Sequence, residues 1–504
     1  YYDTVFALAE SPLKTGLLWA GTDDGKVWVT RDDGTHWHDV TPGGLPKWAT
    51  ISLIDPSPLK AGTAFLAARC YRQDDYKPYI YKTADYGAHW TKITNGLPQD
   101  QSSFVVRQDT QDANLLFAGT LNGVYVSFNG GDHWQPLQLN LPHTAVRDMA
   151  IQPQYNALVL ATHGRAFWVL DNLQPLRELT QKAVNAEAFL FNPQTTYLTG
   201  GGSFPGANAR SLGENPPSGV SVFYELKQAP KSGGKVTLTF SNAQGKTVAE
   251  FSNVKTPQGS PVTESKHFYP PKHPHQQGVV PTRAGMNRFV WNLRLPSAEA
   301  VPNSVIWFGS MAGPRVPPGT YTATLDVDGK SHTRRFKVAK DPRIDASQAD
   351  LDAQFALLSK IHSKLDDVNK AVLRIRKLRK QIQDYQPRLA AGSAAAKSAQ
   401  NILGKLSTIE QGLMQTKSHA SEDPLNYPVR LRSKLATLAF ETGAAPGRPT
   451  RAEKQVWQKL SSQTDAQLQA LATVTGQDVP ALNQLIQQAR LAPVTVPPPA
   501  TAMH

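Results

Sequence analysis

The sequence predicts a multidomain protein: a partial β-propeller of about 3.5 four-stranded blades, then an immunoglobulin- or fibronectin-like β-sandwich, then an α-helical bundle. Three observations predict this order. One turn motif recurs in the first third of the chain. A second stretch alternates apolar and polar residues without that motif. A third carries apolar residues at helical spacing. At 504 residues the chain exceeds a single domain, and its 40% hydrophobic content suffices for several cores.

The propeller is expected over residues 1–175. "VTRDDGTHW" at 29–37, "YKTADYGAHW" at 81–90 and "VSFNGGDHW" at 126–134 share the pattern Ser/Thr-x-Asp/Asn-x-Gly-x-x-Trp. The matched residues are Thr30, Asp32, Gly34 and Trp37; Thr83, Asp85, Gly87 and Trp90; and Ser127, Asn129, Gly131 and Trp134. Each motif belongs to a unit of roughly 42–53 residues with about four short strands, the size of a propeller blade. The Asp or Asn oxygen suits acceptance of backbone N–H bonds in a tight turn, and Gly suits a positive φ. The hydroxyl adds a local hydrogen bond, and the Trp packs between strands. These residues are therefore read as a folding device rather than as catalysts. A fourth unit ends in "ATHGRAFWVLDN" at 161–172, without the motif and with three strands.

The motif resembles the Asp-box, or bacterial neuraminidase repeat. It is similar to that of sialidases, of the two-propeller xyloglucanases of glycoside hydrolase family 74, and of sortilin-type receptors. The stretch at 161–172 resembles the last blade of bacterial proteins described as glycosyl-hydrolase-like or sortilin-like. The resemblance implies a larger closed propeller, so this chain is expected to be a C-terminal portion, with further blades and a signal peptide upstream of Tyr1. The expected location is secreted, periplasmic or cell-surface.

Two functions follow from the resemblance. One is an exported scaffold that binds a glycan or protein partner through the propeller, with a sandwich spacer and a basic helical docking domain. The other is a polysaccharide hydrolase of the family-74 kind, using two carboxylates and placing part of its site on upstream blades. Whether the chain is an enzyme stays open. Sialidase activity is disfavoured, because no Arg-Ile-Pro motif occurs. A sortilin-type sorting role is disfavoured too, since those receptors add a Cys-rich module and a membrane span. Here Cys70 stands alone, and no apolar run is long enough to span a bilayer.

The candidate catalytic carboxylates are Asp75 and Asp148. Asp75 lies in "RCYRQDDYKPY", read as a longer loop whose Tyr71 and Tyr76 could stack on sugar. Asp148 lies beside Arg147 in an expected innermost strand. Arg147, His163 and Arg165 complete the binding candidates, with Gly164 supplying a turn and Arg165 expected to hydrogen-bond blade backbone. No cofactor and no metal site are predicted. A lone Cys excludes a Cys-based zinc site, and His267, His273 and His275 match no standard ligand spacing.

A linker is expected at 176–190, the sandwich at 191–340 with a Pro/His-rich insertion at 255–283, helices at 341–491, and a Pro-rich tail, disordered or extended, at 492–504. Asp328-Gly329 signals a two-residue hairpin. Ser347 with Asp350, and Thr450 with Glu453, read as helix caps. Leu358, Ile361, Leu365, Val368, Val372, Ile375 and Ile382 form a stripe on the first long helix. The net charge is +13, and its densest patch is "RIRKLRKQ" at 374–381. That patch is either a solvated helix face or a dock for an acidic surface or polymer. No nucleic-acid-binding signature accompanies the charge.

Overall fold

The computed structural model describes residues 3–199, 215–231, 234–254, 279–306, 308–420, 422–488 and 494–498. The chain forms two compact units, residues 1–183 and 184–504.

The first unit is a run of four small antiparallel sheets in the manner of propeller blades. Its first sheet holds β1 (Val5–Glu10), β2 (Leu18–Thr22), β3 (Val27–Thr30) and β4 (His38–Asp39). The second holds β5 (Thr50–Pro56), β6 (Ala64–Cys70), β7 (Asp75–Thr83) and β8 (Thr91–Lys92). The third holds β9 (Ser103–Gln108), β10 (Leu116–Thr120), β11 (Gly123–Ser127) and β12 (Gln135–Pro136). The fourth holds β13 (Val146–Gln152), β14 (Ala157–Thr162) and β15 (Phe167–Leu170). Every neighbouring pair is antiparallel, so each sheet is a meander. The first strands pack side by side, β1 on β5, β5 on β9 and β9 on β13. They form the inner wall, and each sheet runs outward from it.

Close approach of neighbouring sheets dictates small residues on the second strands. A Cβ on Gly21 would sit 2.4 Å from Ile51, and one on Gly119 would sit 2.5 Å from Val105 and 2.7 Å from the Val146 carbonyl. Gly119→Ala is therefore expected to destabilise the unit by about 1–3 kcal/mol, read as a lower denaturant midpoint, because the backbone must give way.

Two short helices follow, α1 (Gln174–Glu178) and α2 (Gln181–Asn185), where the sequence suggested only a connector. Arg177 on α1 reaches back to the third sheet. Its Nε and Nη2 donate to the two carboxylate oxygens of Asp109 at 2.9 and 2.8 Å.

In the second unit β16 (Ala188–Leu190), β17 (Thr196–Leu198), β18 (Val220–Leu226), β19 (Val236–Asn242), β20 (Thr247–Ser252), β21 (Gly285–Trp291), β22 (Gly319–Val327) and β23 (Lys330–Lys340) make two sheets. Their orders are β16-β18-β21 and β17-β23-β22-β19-β20, with β17 parallel to β23. One core serves both, centred on Trp291 stacked on Phe240 at 4.5 Å. Asp328 and Gly329 both take positive φ in the β22–β23 hairpin, as the dipeptide requires. The His-containing part of the insertion, with His267, His273 and His275, lies outside the described residues.

Helices α3 (Gln348–Tyr385), α4 (Ala394–Leu413), α5 (Leu431–Gly443), α6 (Arg451–Thr473) and α7 (Val479–Gln488) share a further core with the segment around Val301, Ile306 and Met311. Ser347 and Thr450 cap α3 and α6 in reciprocal boxes with Asp350 and Glu453. On α3 the buried stripe includes Leu357, while Leu358 is half-buried, a one-residue phase shift at its start. The basic run is not one solvated face. Arg376 and Arg379 turn inward to the buried Glu410 at 2.9 and 2.6 Å, and Lys380 pairs with Asp384. Part of the tail is pinned: Val494 is buried and exchanges two hydrogen bonds with Asn483. No helix among the described residues is long and apolar enough to cross a membrane.

Candidate functional site

The repeated turns share one hydrogen-bond pattern. In the first, Thr30 Oγ1 donates to Asp32 Oδ1 at 2.8 Å and accepts from Gly34 N at 3.0 Å. Asp32 Oδ1 also accepts from His36 N at 2.9 Å. Thr83, Asp85, Gly87 and His89 repeat this pattern, as do Ser127, Asn129, Gly131 and His133. The His before each Trp thus belongs to the turn. It is visible in all three sequence copies, yet the four-position skeleton omits it. The glycines take φ of 89°, 87° and 101°.

These contacts hold the Asp85 carboxyl down at about 2, against an ordinary 3.8; the His89 backbone N–H contributes most, then the His89 ring and the Thr83 hydroxyl. A depressed carboxyl stabilises the fold above its unfolded pKa, and that contribution is lost as pH falls through the folded one. The unfolding midpoint of the native chain should therefore fall between about pH 4 and 2 more steeply than that of Asp85→Asn. Parallel acid-titration melts would show the difference; equal slopes would contradict it.

The boxed tryptophans reach backwards. Trp90 Nε1 donates to the Val40 carbonyl at 2.7 Å, and Trp134 Nε1 donates to the Ile93 carbonyl at 2.8 Å. Each therefore ties its own turn to the preceding sheet. Trp134 is 1% exposed, while Trp37 of the first sheet is 38% exposed.

Carboxylates of the inner wall are engaged. Arg107 of β9 bridges Asp55 of β5 at 2.8 Å and Asp148 of β13 at 3.1 Å. Asp148 also accepts from Met149 N at 2.8 Å. Burial first, and Asp148 beside it, push the Asp55 carboxyl up, against the pull of Arg107. The sequence placed Asp148 next to Arg147; its ionic partner is Arg107 of the adjacent strand instead, because neighbouring residues on a strand face opposite ways.

The loop read around Asp75 is shorter than expected. Tyr71–Gln73 is one 3-10 turn, Asp74 takes φ 61°, and Asp75 already opens β7 opposite Cys70. Asp75 accepts from Tyr79 Oη at 2.6 Å and from Lys77 N at 3.0 Å. Burial raises its carboxyl, but those bonds and the lysines nearby bring it below the ordinary value. Cys70 is buried, and burial pushes its thiol up to about 11. Tyr76 is 43% exposed. Arg165 is exposed, and its side chain makes no hydrogen bond among the described residues; its carbonyl accepts from Trp168 Nε1. That corrects the expected role of Arg165 as a donor to blade backbone.

One end of the inner wall carries a different set of side chains. Each first strand has a register shift near its start, at Val5/Ala7, Ile51/Leu53, Val146/Asp148 and, in β9, between the partners of Gly119 and Thr120. The residues at these bulges are Phe6, Ser52, Phe104 and Arg147. Bulges re-aim side chains, and repetition in all four sheets sets these residues in a row along the inner wall. Beside it, matching registers align Asp23, Arg69, Leu121 and His163 just where the second strands end. His163 is thus placed at this mouth by topology, with its N–H bonded to the Ala145 carbonyl at 2.8 Å.

Arg69 is the hub. Its guanidinium lies 5.1 Å from the Phe6 ring, 5.5 Å from Tyr71 and 5.7 Å from Phe104, and that of Arg147 lies 4.0 Å from Phe104. A cavity of about 260 Å³ opens here, lined by Trp48, Thr50, Arg69, Tyr71 and Gln73 among others, with Asp23 as its carboxylate. Neither Asp75 nor Asp148 lines it. The sequence signalled Tyr71 and Arg147 but not Trp48, Arg69 or Phe104, which meet only through strand registers.

No family model matches the chain, and no curated protein matches it. Among solved structures it is similar to YCF48 from Cyanidioschyzon merolae, at 17% identity and a TM-score of 0.26 over 33% of this chain and 53% of that one. It is similar to a glycoside hydrolase family 74 enzyme from Niastella koreensis, at 14% identity and a TM-score of 0.28, over 44% and 36% of the two chains. It is also similar to the family-74 xyloglucanase from Xanthomonas campestris, at 12% identity and a TM-score of 0.28, over 67% and 71%. The chain thus spans about half the length of YCF48 and a third of the Niastella enzyme. At this level of similarity the likenesses say nothing of what the chain binds or does.

Proposed function

We propose that the first unit is an Asp-box propeller module of an exported protein, and that it binds a glycan at the inner-wall mouth without cleaving it. The observation that carries this reading is Trp48. It is 50% exposed and lines the cavity with Tyr71, yet it is held at φ 64°. The Asp24 backbone carbonyl accepts from its N–H at 3.1 Å, and the Gln73 amide donates to its carbonyl at 2.9 Å. A large, half-exposed residue kept in a conformation costing about 1–3 kcal/mol suits a fixed stacking platform. Binding rather than hydrolysis is favoured because a two-carboxylate mechanism needs an available pair. Asp75 and Asp148 already serve Tyr79 and Arg107, and Asp23 is the single carboxylate on the cavity wall among the described residues.

Affinity electrophoresis through gels containing soluble polysaccharides, with a reducing-end assay on the same samples, tests this. Retardation lost in Trp48→Ala, with no new reducing ends, is the expected result. Release of reducing ends that Asp75→Asn or Asp148→Asn abolishes would replace binding by hydrolysis.

A further inference from the structure

The cationic groups at the mouth are unusual in what neutralises them. Among the described residues no carboxylate lies within ion-pair distance of Arg69, Arg72 or Arg147, although their neighbours Arg107 and Arg177 are both paired. Arg69 and Arg147 are instead held by ring faces, and they share Phe104. Stacking fixes the plane of a guanidinium; Arg147 also hydrogen-bonds the Tyr71 hydroxyl, and the remaining N–H groups of the two arginines are left for a ligand. Arg69 lines the cavity, and Arg147, on a bulge, adjoins it through Tyr71; two such guanidinium groups are suited to a planar anion.

The surroundings report the same unmet charge. Burial first, and then Arg147 and Arg72, weaken the hold of Arg69 on its proton, with Tyr71 opposing. Burial would raise the Tyr71 phenol, yet Arg69 and Arg147 draw it below its ordinary value. Ser52, at the equivalent bulge of the second sheet, has a buried hydroxyl without a hydrogen-bond partner among the described residues. A bound anion would relieve the repulsion between the arginines.

We propose that the mouth recognises the carboxylate of a uronic-acid residue in a polyanionic glycan, with Arg69 and Arg147 donating to the carboxylate while Trp48 and Tyr71 face the sugar ring. This rests on the glycan-binding reading above. A sugar ring offers an apolar C–H face and hydroxyls together with its carboxylate. The cavity offers aromatic faces, the Asp23 carboxylate and the Gln73 amide beside Arg69. The net charge of +13 adds long-range attraction to a polyanion.

Calorimetric titration of the full chain with oligogalacturonate, with its methyl ester, with a sulfated oligosaccharide and with polyglutamate tests the inference. The acid form is expected to bind at least about 10-fold tighter than the ester, and more weakly as salt rises. Arg69→Gln and Arg147→Gln should each lose about 10-fold or more, Arg69→Lys less, and Lys14→Gln, remote from the cavity, almost nothing. Far-UV circular dichroism checks that each variant is folded, and the acid-against-ester comparison needs no variant. Equal binding of acid and ester, or of the sulfated sugar and the uronate, overturns the carboxylate assignment, and equal binding of polyglutamate overturns the assignment to a uronic acid. If the ester then still binds through Trp48, the glycan-binding reading stands alone; if no glycan binds at all, both fall.

Discussion

Trp134→Ala should lower the stability of the propeller unit by about 3–5 kcal/mol, whereas Trp37→Ala should cost well under that. Both tryptophans occupy the same position of the same motif, so local sequence gives no reason for a difference. The structure does. Trp134 is 1% exposed, packs in the core between the second and third sheets, and donates across to the Ile93 carbonyl. Removing it leaves a cavity and an unpartnered carbonyl in the same place. Trp37 is 38% exposed, so truncation removes little buried surface. Denaturant midpoints of the two variants, followed by the fluorescence of the remaining tryptophans, would measure the contrast. Equal losses would mean that the motif acts within its own turn and not between sheets.

A loss of similar size, about 3–5 kcal/mol, is expected for Arg177→Met. The Arg177 and Asp109 side chains are 6% and 0% exposed, and two parallel hydrogen bonds join them. Asp109 also accepts from the backbone N–H groups of Gln111 and Asp112, and Arg177 donates to Asn156 at 2.7 Å. Methionine would strand a buried carboxylate. The double variant Arg177→Met/Asp109→Leu should recover part of the loss, since it removes both charges together. Recovery measured in a double-mutant cycle would place the cost in the stranded charge. Its absence would place it in the packing of the short helix that carries Arg177.

How far the fold was legible follows from which contacts are local. The turn motif could be read because its bonds span four residues, and the caps at Ser347 and Thr450 because theirs span three. The Asp328-Gly329 hairpin was legible for the same reason. Arg177 was not, because its partner lies 68 residues earlier and the residues around it form a single helical turn or two. The basic run of α3 misleads in sequence because charge alone does not reveal that Glu410 waits opposite Arg376 and Arg379.

The candidate site was legible in part. Tyr71 is visible in sequence as an aromatic beside paired acids, and Arg147 as a charge in a strand. Their convergence needed the bulges, which add no residue pattern of their own, and the alignment of Arg69 with Asp23, Leu121 and His163, which only strand register supplies. Asp75 and Asp148 drew attention as carboxylates. In the structure each has a dedicated partner, a feature that composition cannot display.

The most direct measurement is amide hydrogen exchange of the full chain with and without a polysaccharide that retards it. Slower exchange is predicted at residues 48–51, 69–73, 103–105 and 146–148, the strand starts and the 3-10 turn around the cavity. Unchanged exchange there, with protection confined to the motif turns at 30–37, 83–90 and 127–134 or to the second unit, would contradict a ligand site at the inner-wall mouth.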